Sequence, residues 1–189
     1  INAATSTFAD VTNSGTVTIT TGSATTTDGS IYTNIGTTSL TSGTLALGGG
    51  FTQSGTWTPG TSKVRFVGGS VQTITGSSLI FNNLEVNKTT SNAASITSSS
   101  TVLGTLVTSN SGEVNVSGTG GFTVLGAITN GSGVTFTVGA GTSTNASTFS
   151  NSGTVAITSG TVTSTGAYTN AGTTSLTTGT LSLGGDFTS

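Results

Sequence analysis

The residues that could do acid–base or nucleophilic chemistry are few in this chain and widely spaced. It has no His or Cys, three basic residues and five acidic residues, which are Asp10, Asp28, Glu85, Glu113 and Asp186. Catalysis by paired carboxylates needs two acids close together, and a nucleophilic Ser or Thr needs a neighbouring base. Typical zinc sites and catalytic triads need His or Cys. We therefore predict no enzyme, no bound metal and no cofactor.

One segment, residues 57–88, gathers most of the unusual side chains. It holds all three basic residues, Lys63, Arg65 and Lys88, together with the only Trp and the only Pro. Arg65 and Glu85 each lie between two apolar residues, one period of the repeat apart, so we expect them to pair across adjacent rungs, on an outward face. An exposed ion pair contributes only about 0–1 kcal/mol, so this one would mainly set register. The segment is either a lateral docking patch or an ordinary solvated face. A buried Lys88–Asn cross-link assisted by Glu85 is a further chemistry open to it.

The composition excludes several classes of protein. Charged residues make up 4% of the chain, and Thr, Ser and Gly number 47, 29 and 30. The many Leu, Ile, Val and Phe residues and the net charge of −2 argue against a disordered chain. Three basic residues are too few for a nucleic-acid partner, and no apolar run is long enough for a transmembrane segment. A surface this poor in charge favours self-association.

A short phrase, Φ-T-N-x-G-T with Φ apolar, recurs along the chain and organises it. Its starts return at a nearly constant spacing, and they are Val11, Tyr32 and Phe51, then Ile128, Phe149, Tyr168 and Phe187. Two strand-like segments with apolar residues at alternate positions follow each phrase, which is typical of strands with one buried face. The stretch from Phe51 to Val107 is close to three further periods long. The repeat therefore predicts rungs of roughly 20 residues through the whole chain.

A longer repeat is superimposed on the rungs. The segment 32–52 returns, with few changes, as 168–188, about seven rungs further along the chain. We therefore expect residues 1–189 to form one continuous unit, with one long repeat over 11–148, a divergent middle over 57–106, and the start of a second copy over 149–189. The sequence shows no polar cap at either end, so we also expect the native molecule to continue in both directions.

These periods favour an all-β fold, a single parallel β-solenoid (β-helix) of about nine rungs of roughly 20 residues. Stacking rungs about 4.8 Å apart pairs each strand with its copies above and below. An antiparallel Greek-key sandwich is the alternative, but it does not explain why every third segment is equivalent. In the solenoid we expect one apolar ladder formed by Val11, Tyr32, Phe51, Val71, Ile128, Phe149, Tyr168 and Phe187.

The connections between strands carry a second column of equivalent residues, formed by Asn13, Asn34, Asn151 and Asn170. Two explanations are open for it. The amides stack and hydrogen-bond along the axis, or each Asn tolerates a left-handed backbone at a tight corner. Glycines 22, 43, 160 and 179 lie between the strands, where we expect a positive φ.

Part of the chain resembles a known type of protein. The segment TSKVRFVGGSVQTITGSSLIFNNLEVNKTT (61–90) resembles a motif of very large, repetitive bacterial surface proteins, through V-x-F-x-G, Q-T-I-T-G and F-N-N-L-x-V-N-K. The rungs resemble, more loosely, the β-helical shafts of filamentous-haemagglutinin-like adhesins. This resemblance implies export and a shaft or adhesive role at the bacterial surface, and it brings no catalytic residues.

The expected function is therefore mechanical. We expect a structural repeat of an extracellular or cell-surface fibre that assembles by end-to-end stacking of rungs, with lateral contacts as a further mode. One alternative is an adhesin shaft that binds a surface, a glycan or a cell through its Thr/Ser faces. Another is an ice-binding β-solenoid, since Thr16, Thr18 and Thr20 form a row with counterparts Thr37, Ser39 and Thr41, and Thr154, Ala156 and Thr158.

Overall fold

A computed structural model describes residues 5–145 and 147–189 of the chain. The described residues form 28 short strands and no helix, and every strand pair is parallel. Three strands make one turn, and about nine turns stack into a three-faced prism. This confirms the predicted parallel β-solenoid and the predicted length of its rungs.

Each face of the prism collects one strand per turn. The first face is a 10-stranded sheet of β1 (Thr5–Phe8), β4 (Ser23–Thr26), β7 (Thr44–Leu47), β10 (Lys63–Gly68), β13 (Asn83–Lys88), β16 (Leu106–Asn110), β19 (Ile128–Asn130), β22 (Phe149–Asn151), β25 (Tyr168–Asn170) and β28 (Phe187–Thr188). The second face is a 9-stranded sheet of β2 (Val11–Asn13), β5 (Tyr32–Asn34), β8 (Phe51–Gln53), β11 (Gln72–Gly76), β14 (Ala93–Ile96), β17 (Gly112–Val116), β20 (Val134–Val138), β23 (Thr154–Ile157) and β26 (Thr173–Leu176).

The third face is divided into two sheets. The first is a 3-stranded sheet of β3 (Thr16–Ile19), β6 (Thr37–Leu40) and β9 (Thr56–Thr58). The second is a 6-stranded sheet of β12 (Leu79–Phe81), β15 (Ser100–Val102), β18 (Gly121–Val124), β21 (Thr142–Asn145), β24 (Thr161–Ser164) and β27 (Thr180–Leu183). The strands β9 and β12 follow each other on this face but do not pair.

The alternation of side chains along each strand decides which of them form the core. In β20, Val134, Phe136 and Val138 are buried, while the two Thr residues between them are half-buried and face outward. Burying one large apolar side chain contributes about 1.5–3 kcal/mol. Because each turn repeats this arrangement, the core is a thin apolar column along the axis of the prism.

The predicted single apolar ladder is wrong, because its members lie on two different faces. Val11, Tyr32 and Phe51 stack on the second face, in β2, β5 and β8. The later members, from Ile128 onwards, stack on the first face, in β19, β22, β25 and β28. Val71 belongs to neither ladder. It is 63% exposed, and Ile74 stands opposite Phe51 in its place.

The length of the middle turns explains this change of face. Strands β10 and β13 have six residues each, which is long for this chain, and Leu84 of β13 stacks on Leu106 of β16. From β8 to β16 the chain passes eight strands, one short of three whole turns. The stretch from Phe51 to Val107 therefore fills two and two-thirds long turns, not three ordinary ones.

Counting strands in the same way shows how the two copies of the long repeat are placed. Tyr32 lies in β5 on the second face, and its counterpart Tyr168 lies in β25 on the first. The step from β5 to β25 is six whole turns and two further strands. The second copy of the sequence is therefore rotated by one face relative to the first, an arrangement that we call the rotated register.

Engineered disulfides test the long turns that produce the rotated register, because the chain has no Cys. Asn87 and Ser109 stand opposite each other in β13 and β16, within disulfide reach. We expect the Asn87→Cys/Ser109→Cys variant to cross-link on mild oxidation, with loss of both free thiols in mass spectrometry. A turn of average length would instead place Asn87 opposite Val107, so Asn87→Cys/Val107→Cys is the control. Preferential cross-linking of the control pair would contradict the rotated register.

The predicted positive φ angles do not explain why glycine occupies the corners between strands. Among the described residues, positive φ angles occur at Gly29, Gly60, Gly68 and Gly133 and at two non-glycine residues, so glycines 22, 43, 160 and 179 do not have them. A Cβ on Gly43 would lie 2.4 Å from Gly22 O, in the turn above. At Gly160 and Gly179 a Cβ would come equally close, 2.2 Å from Gly141 O and 2.3 Å from Ile157 Cγ2. These three corners need glycine because the adjacent turn leaves no room for a side chain.

Ser143 is a polar defect in the core of the third face. It stands between Phe122 and Val162, is 1% exposed, and its hydroxyl has no hydrogen-bond partner in the described part of the chain. Since an unsatisfied buried hydroxyl costs about 1–3 kcal/mol, we expect Ser143→Ala to raise the free energy of unfolding by about 1 kcal/mol. Urea denaturation followed by circular dichroism measures it. Ser100→Ala is the control, because the Ser100 hydroxyl donates to Ser98 O at 3.0 Å and its loss should destabilise; equal effects would contradict the explanation.

Candidate functional site

The predicted Asn column forms two hydrogen-bonded stacks, one on each side of the change of face. On the second face Asn13 Nδ2 donates to Asn34 Oδ1 at 2.8 Å, and Asn34 Nδ2 donates to Gln53 Oε1 at 2.7 Å. On the first face Asn151 receives a bond from Asn130 and donates to Asn170, at 2.8 and 2.7 Å. None of the four predicted Asn residues has a positive φ. Of the two explanations left open, the structure shows stacked amides.

The corner chemistry is the same in both copies even though the face differs. The Tyr32 hydroxyl lies 2.8 Å from Thr38 Oγ1, which donates to Asn34 Oδ1 at 3.0 Å. Tyr168, Thr174 and Asn170 repeat this network in the second copy, at 2.6 and 3.1 Å. Burial raises the pKa of both tyrosines. The two copies of the phrase that begin with Tyr, together with the Thr that directly follows each copy, therefore form the same corner network on either face.

Arg65 and Glu85 lie opposite each other in β10 and β13 and form an ion pair, with Arg65 Nη2 donating to Glu85 Oε1 at 2.9 Å. Lys63 Nζ contacts the other carboxylate oxygen at 3.1 Å, and Asn87 Nδ2 donates to Oε1 at 3.3 Å. Burial opposes ionisation of Glu85, but these hydrogen bonds outweigh it and hold its pKa below the ordinary value. This outward cluster fixes the register of two turns.

Lys88 lies inside the prism, because the alternation of β13 places it on the same side as Leu84 and Val86. It is 0% exposed, and its Nζ donates to Ser70 O at 2.6 Å and Gln72 Oε1 at 2.8 Å. Burial lowers the pKa of Lys88, and the negative charge of Asp28 opposes that shift. Because Lys88 and Glu85 point to opposite sides of the strand, the structure does not assemble the Lys–Asn cross-link site that the sequence left open.

The loop that Lys88 binds is also held from outside. Asp28 accepts backbone N–H bonds from Gly69 and Ser70 at 3.0–3.1 Å, which lowers the pKa of its carboxyl group. Asp28 thereby connects corners that are two turns apart. Gly68, the last residue of β10, has φ +84° and would place a Cβ 2.4 Å from Asp28 Oδ1. The ammonium inside and the carboxylate outside thus hold one corner between them.

The third face is interrupted between β9 and β12, and Trp57 lies at this break. Pro59 directly follows β9 and has no N–H to donate to a neighbouring strand. Trp57 Nε1 instead donates to Ile80 O at 2.7 Å. The indole also packs against Phe51 and Phe81, with ring centroids 5.2 and 6.3 Å apart. A side chain therefore bridges the two sheets where backbone pairing stops.

A shallow cleft lies along this break, and we call it the Trp57 cleft. One part, of about 180 Å³, is bounded by Gln53, Gly55 and Trp57, and the other, of about 320 Å³, extends over Ser99 and Thr101. Ser78, Leu79 and Ile80 line both parts. Among the described residues, no charged side chain lines either part. Sequence reasoning marked Trp57 and Pro59 as unusual, but nothing in the pattern predicted that the sheet stops there.

The predicted Thr rows do not form one surface. Thr16 and Thr18 face outward from β3 on the third face, beside Thr37 and Ser39 of β6. Their counterparts Thr154 and Ala156 lie in β23 on the second face. The rotated register therefore places equivalent rows on different sides of the prism.

Within residues 5–145 and 147–189, no three of His, Cys, Asp and Glu come together as a group that could hold a metal ion. The same residues contain no helix long and apolar enough to cross a membrane. Comparisons with protein-family models, with curated proteins and with solved structures find no match for this chain.

Proposed function

We propose that this chain is a structural segment of an extracellular or cell-surface fibre that assembles by end-to-end stacking of its turns. The observation that carries the proposal is the continuity of the three faces: parallel pairing and the apolar column run from β1 to β28, broken only at the Trp57 cleft within the described part of the chain. Backbone hydrogen bonds of this kind resist pulling along the axis. The low content of charged residues supports the proposal, since a surface with few charges favours self-association.

The last described turn offers a surface for stacking. Strands β26, β27 and β28 pair on one side only. Leu176 and Phe187, in the apolar columns of two faces, are 50% and 53% exposed there. Unpaired strand edges are templates for further pairing. A further turn that meets this edge, from a continuing chain or from a second copy, would cover both apolar side chains and extend the sheets.

The rotated register gives such a fibre a defined surface. Where copies of the long repeat follow one another, each is turned by one face, and the same residues return to the same face with every third copy. A row that occurs once per copy is then displayed on all three sides in succession. Lateral neighbours can meet equivalent rows from any direction.

Electron microscopy and fibre diffraction of the purified chain test assembly. We expect concentration-dependent rods with a repeat of about 4.8 Å along the rod axis, the spacing of stacked strands. Phe187→Lys should reduce rod formation strongly, because it places a charge at the stacking edge. Val71→Lys is the matched control, since Val71 is an exposed apolar residue on the side of the prism, 63% exposed. A chain that stays monomeric at every concentration, or equal effects of the two variants, would refute end-to-end stacking.

A further inference from the structure

We propose that the Trp57 cleft binds a neutral oligosaccharide. The proposal concerns the side of the prism and does not depend on fibre assembly, so it can be tested on the monomer. It rests on the break between β9 and β12, on the residues that line it and on the uncharged character of that lining.

The shape of the cleft fits a short chain molecule. Its larger part, of about 320 Å³, lies at the lower end of the roughly 300–1,000 Å³ typical of small-molecule sites. The cleft extends from Gln53 and Trp57, past β12, to Thr101 of β15 and Thr123 of β18. It therefore crosses several turns and follows the axis of the prism, so a short extended ligand can occupy it.

The chemistry of the walls is mixed in a way that suits a sugar. The Trp57 indole and the 41%-exposed Ile80 side chain offer apolar surface, while Ser78, Ser99 and Thr101 offer hydroxyl groups. A pyranose ring likewise has an apolar face of C–H groups and a rim of hydroxyls. Two strand edges that do not pair with each other add backbone donors and acceptors. An ionic ligand would find no counter-charge in the described lining.

The rim of the cleft is conformationally unusual. Ser78 has φ +52°, a left-handed conformation that is uncommon for a residue other than Gly. Strained backbone of this kind concentrates at binding sites. An extended peptide is a poorer occupant, because the Trp57–Ile80 hydrogen bond of 2.7 Å already bridges the two edges that a new strand would have to pair with.

The single Trp makes the cleft directly observable. We expect cellohexaose, xylohexaose or chitohexaose to shift or quench the emission of Trp57 saturably, with a matching affinity from calorimetry. Ile80→Lys should weaken that affinity at least tenfold, because it places a charged chain across the cleft. Thr129→Lys is the control, since Thr129 faces outward from β19 on the first face. Circular dichroism and the unliganded Trp57 emission verify the fold of both variants.

Three outcomes would overturn the proposal. The first is that none of the three oligosaccharides changes the Trp57 emission or produces heat at millimolar concentration. The second is that binding is measured by calorimetry while Trp57 is unaffected, or that both Lys variants lose affinity equally, which would place the site elsewhere. The third is that an extended Thr- and Val-rich peptide changes the emission while the oligosaccharides do not.

Discussion

Replacing Lys88 with Ala should lower the free energy of unfolding by about 3–5 kcal/mol. The change removes a long buried side chain and leaves the acceptors Ser70 O and Gln72 Oε1 without their donor. Gln72 is itself fully buried, and its amide nitrogen already donates to Leu47 O and Gly49 O. It therefore cannot replace the hydrogen bonds that Lys88 donated. Chemical denaturation measures the loss.

Two further variants separate the causes of that loss. Lys88→Met keeps most of the side-chain volume and removes only the donors, so we expect about 1–3 kcal/mol. Lys63→Met is the control, because Lys63 lies on the outer surface with its side chain 48% exposed, and its change should stay within about 0.5 kcal/mol. If Lys63→Met cost as much as Lys88→Met, a general effect of lost charge would replace our explanation.

The stability difference between the native chain and Lys88→Met should also depend on pH. The pKa of Lys88 is lowered in the folded chain, so between that value and the ordinary 10.5 the unfolded chain holds more protons. Stability then rises with pH through this window and falls as pH drops through the folded-state pKa. The deficit of Lys88→Met should therefore grow as pH is raised towards 10.5. Tyrosine ionisation affects both proteins equally and cancels in the difference between their free energies of unfolding. A stability deficit of Lys88→Met that does not change with pH would contradict the burial of the Lys88 ammonium group.

Asn34→Ala should lower the free energy of unfolding by about 3 kcal/mol. Asn34 is 0% exposed and is the central member of the second-face amide stack. Its removal leaves Gln53 Oε1 and Thr56 O without a donor and takes an acceptor from Asn13 Nδ2. Amides that donate in one direction along a chain also strengthen one another, so the loss extends to the neighbouring turns.

Asn115→Ala provides the matched control for the amide stack. Asn115 faces outward from β17, between Ser95 and Thr137 of the adjacent turns, so its change should stay within about 0.5 kcal/mol. Denaturation with two probes, far-ultraviolet circular dichroism and Trp57 emission, shows whether the Asn34 variant unfolds as one unit. A loss at Asn34 no larger than at Asn115 would mean that the stack does not stabilise the corners.

The structural features that the sequence predicts correctly are those that depend only on one turn of the solenoid and the turn next to it. Alternating Val, Thr and Ile residues predict strands with one buried side, and the nearly constant spacing of the rungs places Arg65 opposite Glu85 in the next turn. The amide stack follows from the same spacing, because Asn13 and Asn34 are one turn apart. In each case the physical cause lies within two successive turns of the chain, where the pattern is regular.

Lys88 shows which part of a buried contact the sequence does not reveal. In the run N-L-E-V-N-K, alternation places Lys88 on the same side as Leu84 and Val86, which are core residues. The sequence left a buried Lys88 open, but the acceptors that make its burial tolerable come from residues 67–72 in the preceding turn. Those acceptors are set by the conformation of a corner, which the alternation of β13 does not reveal. The break at Trp57 depends in the same way on how a turn containing Pro59 meets the next one.

The sequence by itself determined that short parallel strands stack in repeated turns around a thin apolar core, because strand alternation and turn spacing are local properties. Only the tertiary structure decided on which face each rung lies, which atoms accept the hydrogen bonds of the buried Lys88, and that the third face opens into a cleft beside Trp57. Which face a rung occupies depends on the summed lengths of all preceding turns, so a few extra residues in the turns between β8 and β20 rotate everything that follows. Hydrogen bonds between adjacent strands, which are the same on every face, do not oppose that rotation.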